Sequence, residues 1–191
     1  KDTVHCIRRD FRSAVEVMRD FPEVTFCMSQ VPTYDLARRM DPGTFRQVRR
    51  LIAEGRWENV AATWVEGDLA MADGESIARQ ALYAADWTRR HLGQRARVFW
   101  APDTFAHPPN MPQLARLAGC ETYFHWRCNP GGEDSWPARI WQGIDGTEVL
   151  AVSSAYGGSL RPGPWMYLSL HNLLHSLRLG LKTSHHVWGL G

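Results

Sequence analysis

No stretch of this 191-residue sequence approaches the roughly eighteen uninterrupted apolar residues that span a bilayer, and Lys1-Asp2-Thr3-Val4-His5 lacks the shape of a secretory leader. The expectation is a chain without membrane contact. Cysteine is scarce: Cys6, Cys27, Cys120 and Cys128 make neither a CxxC pair nor a regular framework. That excludes a zinc ribbon or a disulfide scaffold and points to buried thiols in a reducing compartment, hence the cytoplasm. Charge of one sign is also missing, since 22 Lys and Arg stand against 20 Asp and Glu for a net +2, with the arginines dispersed. A nucleic-acid partner is not expected. Internal repeats and low-complexity linkers are absent. Acidic residues stop at Glu148; residues 160–191 have none and carry Leu168, Leu170, Leu173, Leu174, Leu177, Leu179 and Leu181 with half of the eight histidines. The sequence therefore divides into a domain over 1–158 and an atypical tail over 159–191.

What is present is a helix and strand alternation. With 44% apolar residues the chain can bury a core. Val4, Ile7, Phe11, Val15 and Met18 recur at helical spacing, predicting a helix over 3–20 that stops at Pro22. Val24 to Met28 reads as a short buried strand, with Ser29 and Gln30 the first polar side chains at its carboxyl end. Helices are predicted over 33–40 and 43–54, the second opened by Asp41-Pro42 and closed by Gly55. Trp57 to Trp64 reads as a strand running into Glu66 and Asp68, two carboxylates that suit an acid/base pair, metal ligands or a solvated loop. Asp73 opens a helix over 75–92 that Gly93 ends. A helix over 111–118 and a strand over Thr122–Trp126 follow. The Asp145-Gly146 turn between two apolar runs predicts a β-hairpin.

The chain is organised around Arg97-Val98-Phe99-Trp100-Ala101-Pro102-Asp103-Thr104-Phe105-Ala106-His107. Val98 to Ala101 is an unbroken apolar run of the kind a buried parallel strand shows, and Pro102 ends it. Asp103 then stands in the loop past the strand, where α/β proteins place their ligands. A plainer reading makes Asp103 the cap of the helix near Asn110 or Met111.

These blocks together resemble the zinc-dependent, retaining α-mannosidases of glycoside hydrolase family 38. The resemblance runs over about residues 1–158, through Phe26-Cys27-Met28-Ser29-Gln30, Trp64-Val65-Glu66-Gly67-Asp68, Pro102-Asp103-Thr104-Phe105-Ala106-His107 and Trp141-Gln142-Gly143-Ile144-Asp145-Gly146-Thr147. It implies an α/β fold, an incomplete and distorted parallel (β/α) barrel. It also implies hydrolysis of terminal α-linked mannose through a glycosyl-enzyme, with Asp103 as nucleophile and zinc ligand and Arg127 as its partner in the sugar subsite. A guanidinium beside a carboxylate favours the ionised form that attacks; the plainer reading of Arg127 is a surface ion pair. His107 falls where the family tends to have a histidine and is read as a supporting or packing residue rather than a ligand. The implied cofactor is zinc. Its remaining ligands, from a His-x-His-x-Asp block upstream and a later His, are expected outside this chain, and the acid/base is not recognisable within it. Ala106 stands where the family usually has Gly, and Gly67 where Pro is common.

Two other readings compete. One is a catalytically dead carbohydrate-binding or interaction relic that keeps Trp64, Trp100 and Arg127 without the metal. The other takes His171 and His175 as a metal site, since histidines four apart on a helix share one face, though the Glu of His-Glu-x-x-His is missing. The substrate implied is an oligosaccharide or glycoside with terminal α-mannose, the fragment alone is expected to be inactive, and homo-oligomerisation is left open.

Overall fold

The computed structural model describes residues 2–127 and 138–153, and the backbone of residues 155–157 and 188–190. Residues 129–137, a stretch rich in Gly and Pro that reads as a loop, Cys128 and the tail histidines lie outside the described residues, as does most of the tail.

Helix α1 (Asp2–Asp20) buries Phe11, Val15 and Met18, the apolar stripe its 3.6-residue period predicts. One side chain ties its last turn to the segment that follows. Arg56 Nη2 donates to the carbonyls of Met18 (2.6 Å), Phe21 (3.1 Å) and Val24 (3.1 Å), closing the helix end and fixing the entry into β1 (Phe26–Met28). Helices α2 (Val31–Met40) and α3 (Pro42–Ala53) meet at Asp41, whose Oδ1 accepts from the Thr44 amide at 3.2 Å. Pro42 in the first turn loses no hydrogen bond there, so Asp41-Pro42 opens α3 as expected.

β1 pairs in parallel with β2 (Trp57–Asn59), Phe26 opposite Trp57. The predicted strand over 57–64 is therefore cut to three residues. Asn59 is the cause: its Oδ1 accepts from the Ala61 amide at 3.0 Å, a local bond that turns the backbone out of the ladder, and only Val60 N adds one more bond, to the Met28 carbonyl at 3.1 Å. The strand predicted from Val24 likewise begins only at Phe26, because the Val24 amide is taken by the Phe21 carbonyl in a turn.

Helix α4 (Gly74–Leu92) starts at Asp73, which accepts from Ser76 N at 2.7 Å, and ends at Gly93, whose φ of 83° is left-handed. It lies between two cores. Ala84 and Leu92 join Phe11, Tyr34, Val48 and Trp57, while Ile77 joins Phe99, Met111, Tyr123 and Val149. At the centre of the first core Trp57 Nε1 donates to the Tyr34 hydroxyl at 2.9 Å, and that hydroxyl donates to the Met28 carbonyl at 3.0 Å.

The second half is a four-stranded sheet in the order β3-β4-β6-β5. β3 (Val98–Trp100), β4 (Thr122–His125) and β6 (Glu148–Ser153) run parallel, with helix α5 (Met111–Leu117) between the first two. β5 (Ala138–Gln142) is antiparallel to β6 through the predicted hairpin, whose Gly146 has φ 84°. β7 (Ala155–Gly157) and β8 (Trp188–Leu190) form a separate parallel pair. The class is α/β with open, partial sheets, as an incomplete barrel requires.

One expectation needs correcting. Cys120 is buried and Cys27 half-buried, with burial raising their thiols to about 12 and about 11, but Cys6 is exposed on the solvent side of α1. No helix among the described residues is long and apolar enough to cross a membrane.

Candidate functional site

The ladder between β3 and β4 continues past the strand ends and builds the site. Ala101 N donates to the Phe124 carbonyl at 2.9 Å, and Arg127 N donates to the Pro102 carbonyl at 3.2 Å. On the sheet beneath, Phe99 stacks on Tyr123 and Trp100 on Phe124, with centroids 5.2 and 4.2 Å apart and rings nearly parallel. The two loops leaving the carboxyl ends are thus held side by side, and their first polar side chains meet. Arg127 Nε donates to Asp103 Oδ1, and the guanidinium lies over the Phe105 ring with Cζ 4.6 Å from its centroid.

Asp103 does not cap α5. The residue before that helix is Asn110, and its side chain makes no capping bond. The pair at Asp103 and Arg127 is half open to solvent, with side chains 57% and 40% exposed, so the ion pair does not define the fold and Asp103 stays reachable. Its Oδ2 has no hydrogen bond among the described residues.

Asp103 faces a recess of about 440 Å³ lined by Gln30, Glu66, Gly67, Asp68, Thr104 and Phe105. Of the two neighbouring carboxylates, Glu66 accepts the Asp103 amide at 3.0 Å, whereas Asp68 Oδ1 is occupied by the Ala70 amide at 3.0 Å. Burial raises the Glu66 carboxyl above its usual value; the Asp103 amide opposes this and the Asp103 charge adds to it. Thr104 is buried, its hydroxyl directed to the Gly67 carbonyl at 3.5 Å. Gln30 comes from the end of β1 with a φ of 66°, the positive value found at a non-glycine among the described residues. Its side-chain amide has no partner among those residues, while its neighbour Ser29 does not line the recess. Ala106 keeps a negative φ, so its Cβ is accommodated where the family usually has Gly.

His107 does not reach the carboxylates. Its Nδ1 lies 2.8 Å from the Tyr123 hydroxyl and its Nε2 3.3 Å from the Arg127 carbonyl. His125 reaches the same carbonyl, Nδ1 at 3.3 Å, with its Nε2 3.3 Å from Arg139 Nη2. Burial lowers both imidazoles, His125 to about 4, with the Arg127 carbonyl opposing and the Arg139 charge assisting. Tyr123 and His125 were legible in sequence only as strand residues. The signal available was position, since His125 stands two residues before Arg127 at the end of a strand.

Zinc takes four ligands from His, Cys and carboxylate side chains. Among the described residues no group of three or more His, Cys, Asp or Glu stands close enough to hold a metal. Asp103, an exposed carboxylate, has the chemistry of one such ligand.

The sequence matches the Glycosyl hydrolases family 38 N-terminal domain over residues 1–161. It is 33% identical to "Alpha-mannosidase" of Saccharomyces cerevisiae over 152 residues, 78% of this chain and 14% of that protein. To "Alpha-mannosidase 2C1" of Homo sapiens it is 28% identical over 152 residues, again 78% of this chain and 15% of that protein. The chain thus spans about a seventh of the length of these relatives. The solved alpha-mannosidase from Enterococcus faecalis V583 superposes with a TM-score of 0.81 at 17% identity, covering 99% of this chain and 23% of that one, which shows the fold. Block order, fold and the match over 161 residues agree: this chain belongs to glycosyl hydrolase family 38 and carries part of its N-terminal domain.

Proposed function

We propose that the enzyme containing this domain hydrolyses terminal α-linked mannose with retention, and that Asp103 is its nucleophile. The observation that carries the reading is the placement of Asp103 at the carboxyl end of β3, lining the recess, with its Oδ1 held by Arg127 and its Oδ2 without a hydrogen bond among the described residues. In the first step Oδ2 bonds to the anomeric carbon as the glycosidic C–O bond breaks, the departing oxygen taking a proton from an acid. In the second, the conjugate base of that acid takes a proton from water, whose oxygen bonds to the same carbon as the carboxylate leaves. A retaining enzyme sets the second carboxyl about 5–5.5 Å from the first.

The chain's own residues hold the geometry. Arg127 fixes one oxygen of Asp103, Glu66 fixes its amide, and Phe105 backs the guanidinium. Gln30 offers an amide able to donate to and accept from a sugar hydroxyl. Asp103 would supply one zinc ligand, and zinc supplies orientation of the sugar hydroxyls and charge stabilisation.

The test is Asp103→Asn in the full-length enzyme, assayed on an aryl α-mannoside. Turnover is expected to fall by about a thousandfold or more with the fold intact. Near-normal hydrolysis would sink the assignment. The 191-residue chain alone is expected to show little turnover, because the metal ligands act together.

A further inference from the structure

Arg127 is fixed at three points. Its amide donates to the Pro102 carbonyl, its guanidinium to Asp103, and its carbonyl faces two imidazoles at 3.3 Å each. A carbonyl oxygen only accepts, so each nitrogen facing it carries a proton: Nε2 of His107 and Nδ1 of His125. The opposite nitrogens complete the assignment. His125 Nε2 faces Arg139 Nη2 at 3.3 Å, and a guanidinium only donates, so that nitrogen is a lone pair and the ring is neutral. His107 Nδ1 faces the Tyr123 hydroxyl at 2.8 Å, which donates to it when the ring is neutral. The rings lie 5.1 Å apart, and Tyr123 is fully buried against Phe99, so the group has a rigid base.

We infer that His107 and His125 are positioning residues, two neutral imidazoles of opposite tautomer that both donate to the Arg127 carbonyl and so hold its guanidinium on Asp103. Pinned at its amide alone, the Arg127 peptide could rotate about the bonds to its Cα and carry the side chain off the carboxylate. With both sides of the residue bonded, the Cα to Cβ direction is set, and the guanidinium arrives over Phe105 before any sugar binds. The cost of ordering a long side chain is met in folding rather than in binding. The catalytic consequence rests on the reading of Asp103 and Arg127 as a sugar subsite; the tautomers do not.

The test uses the ¹⁵N-labelled 191-residue chain at pH 7. Long-range ¹H–¹⁵N correlations of the imidazoles should show His107 protonated at Nε2 and His125 at Nδ1. The opposite tautomer at either ring, or a doubly protonated ring, overturns the inference. The second readout is the Arg127 Nε–H signal, assigned by its loss in Arg127→Lys. His107→Phe and His125→Phe should speed its exchange with water by about tenfold or more. His107→Gln and His125→Asn place an amide N–H near the lost donor and should restore it, which a packing role would not predict. Unchanged exchange in both Phe variants also overturns the inference. If a Phe variant loses its native amide dispersion, the tautomers of the unsubstituted chain decide. Neither readout involves substrate, so a failure of the mannosidase reading would appear separately, in turnover assays.

Discussion

The amide of Asp103 donates to Glu66 Oε1 at 3.0 Å, so the main chain of the residue proposed to attack is tied to a second carboxylate from the loop after β2. The bond turns the Pro102-Asp103 peptide toward the recess. Glu66→Gln keeps an acceptor oxygen and should preserve it. Glu66→Ala should speed amide exchange at Asp103 by about tenfold, the effect of losing one charge-assisted bond worth about 1.5 kcal/mol at a partly solvated site. Unchanged protection in the Ala variant would show that the loop is held without Glu66.

His125 makes stability depend on pH. Folded, it protonates only near pH 4; unfolded, near its ordinary value of about 6.5. Between those values the unfolded state binds the additional proton, so stability falls as pH is lowered through this window. Roughly 2 kcal/mol should be lost between pH 7 and pH 5. His107 is lowered as well and acts in the same direction. Urea midpoints at the two pH values measure the loss, and His125→Asn, which keeps the donor without titrating, should flatten it.

Tyr34→Phe tests the first core. The hydroxyl it removes accepts from Trp57 Nε1 at 2.9 Å, and Trp57 is fully buried, so the indole N–H is left without a partner. The Met28 carbonyl keeps a bond from Val60 N at 3.1 Å. The expected loss is about 1–3 kcal/mol, read as a fall in Tm of several degrees. Tyr34→Phe with unchanged Tm would mean that water reaches the indole.

Gln30→Gly should stabilise the chain. A φ of 66° is strained for glutamine and free for glycine. Relief of about 1–3 kcal/mol, offset by glycine's entropy of about 0.5–1 kcal/mol, leaves a net gain of about 1 kcal/mol and a Tm higher by about 2–4 °C. A lower Tm would place the strain elsewhere. The same change removes from the recess an amide that has no partner among the described residues, so stability and sugar contact are expected to move in opposite directions.

The helices were legible because burial imposes a period: the stripe from Ile7 to Met18 and the caps at Asp41, Asp73 and Gly93 appear as read. Strand length was not, because a polar side chain such as Asn59 can divert the backbone at a point that hydropathy does not mark. Asp103 was legible from the apolar run and Pro102 before it, and Arg127 as the polar side chain at the end of the next strand, its role coming from family resemblance. Their meeting was not derivable from spacing, since it depends on β3 and β4 lying side by side. The bond from Asp103 to Glu66 crosses 37 residues and belongs to tertiary structure alone. Gln30 carries no signal of its backbone, since the residue type that announces a positive φ is glycine.

β3 and β4 pair Val98 with Thr122, Phe99 with Tyr123 and Trp100 with Phe124, a constant offset of 24, and Asp103 and Arg127 are also 24 apart. The ion pair is the continuation of the strand register. The register is set where the strands pair, so it does not depend on the length of the connection between them. A single residue inserted between Trp100 and Asp103 would break the match at once. The requirement falls on the short leads from ladder to loop, Ala101 to Asp103 on one strand and His125 to Arg127 on the other.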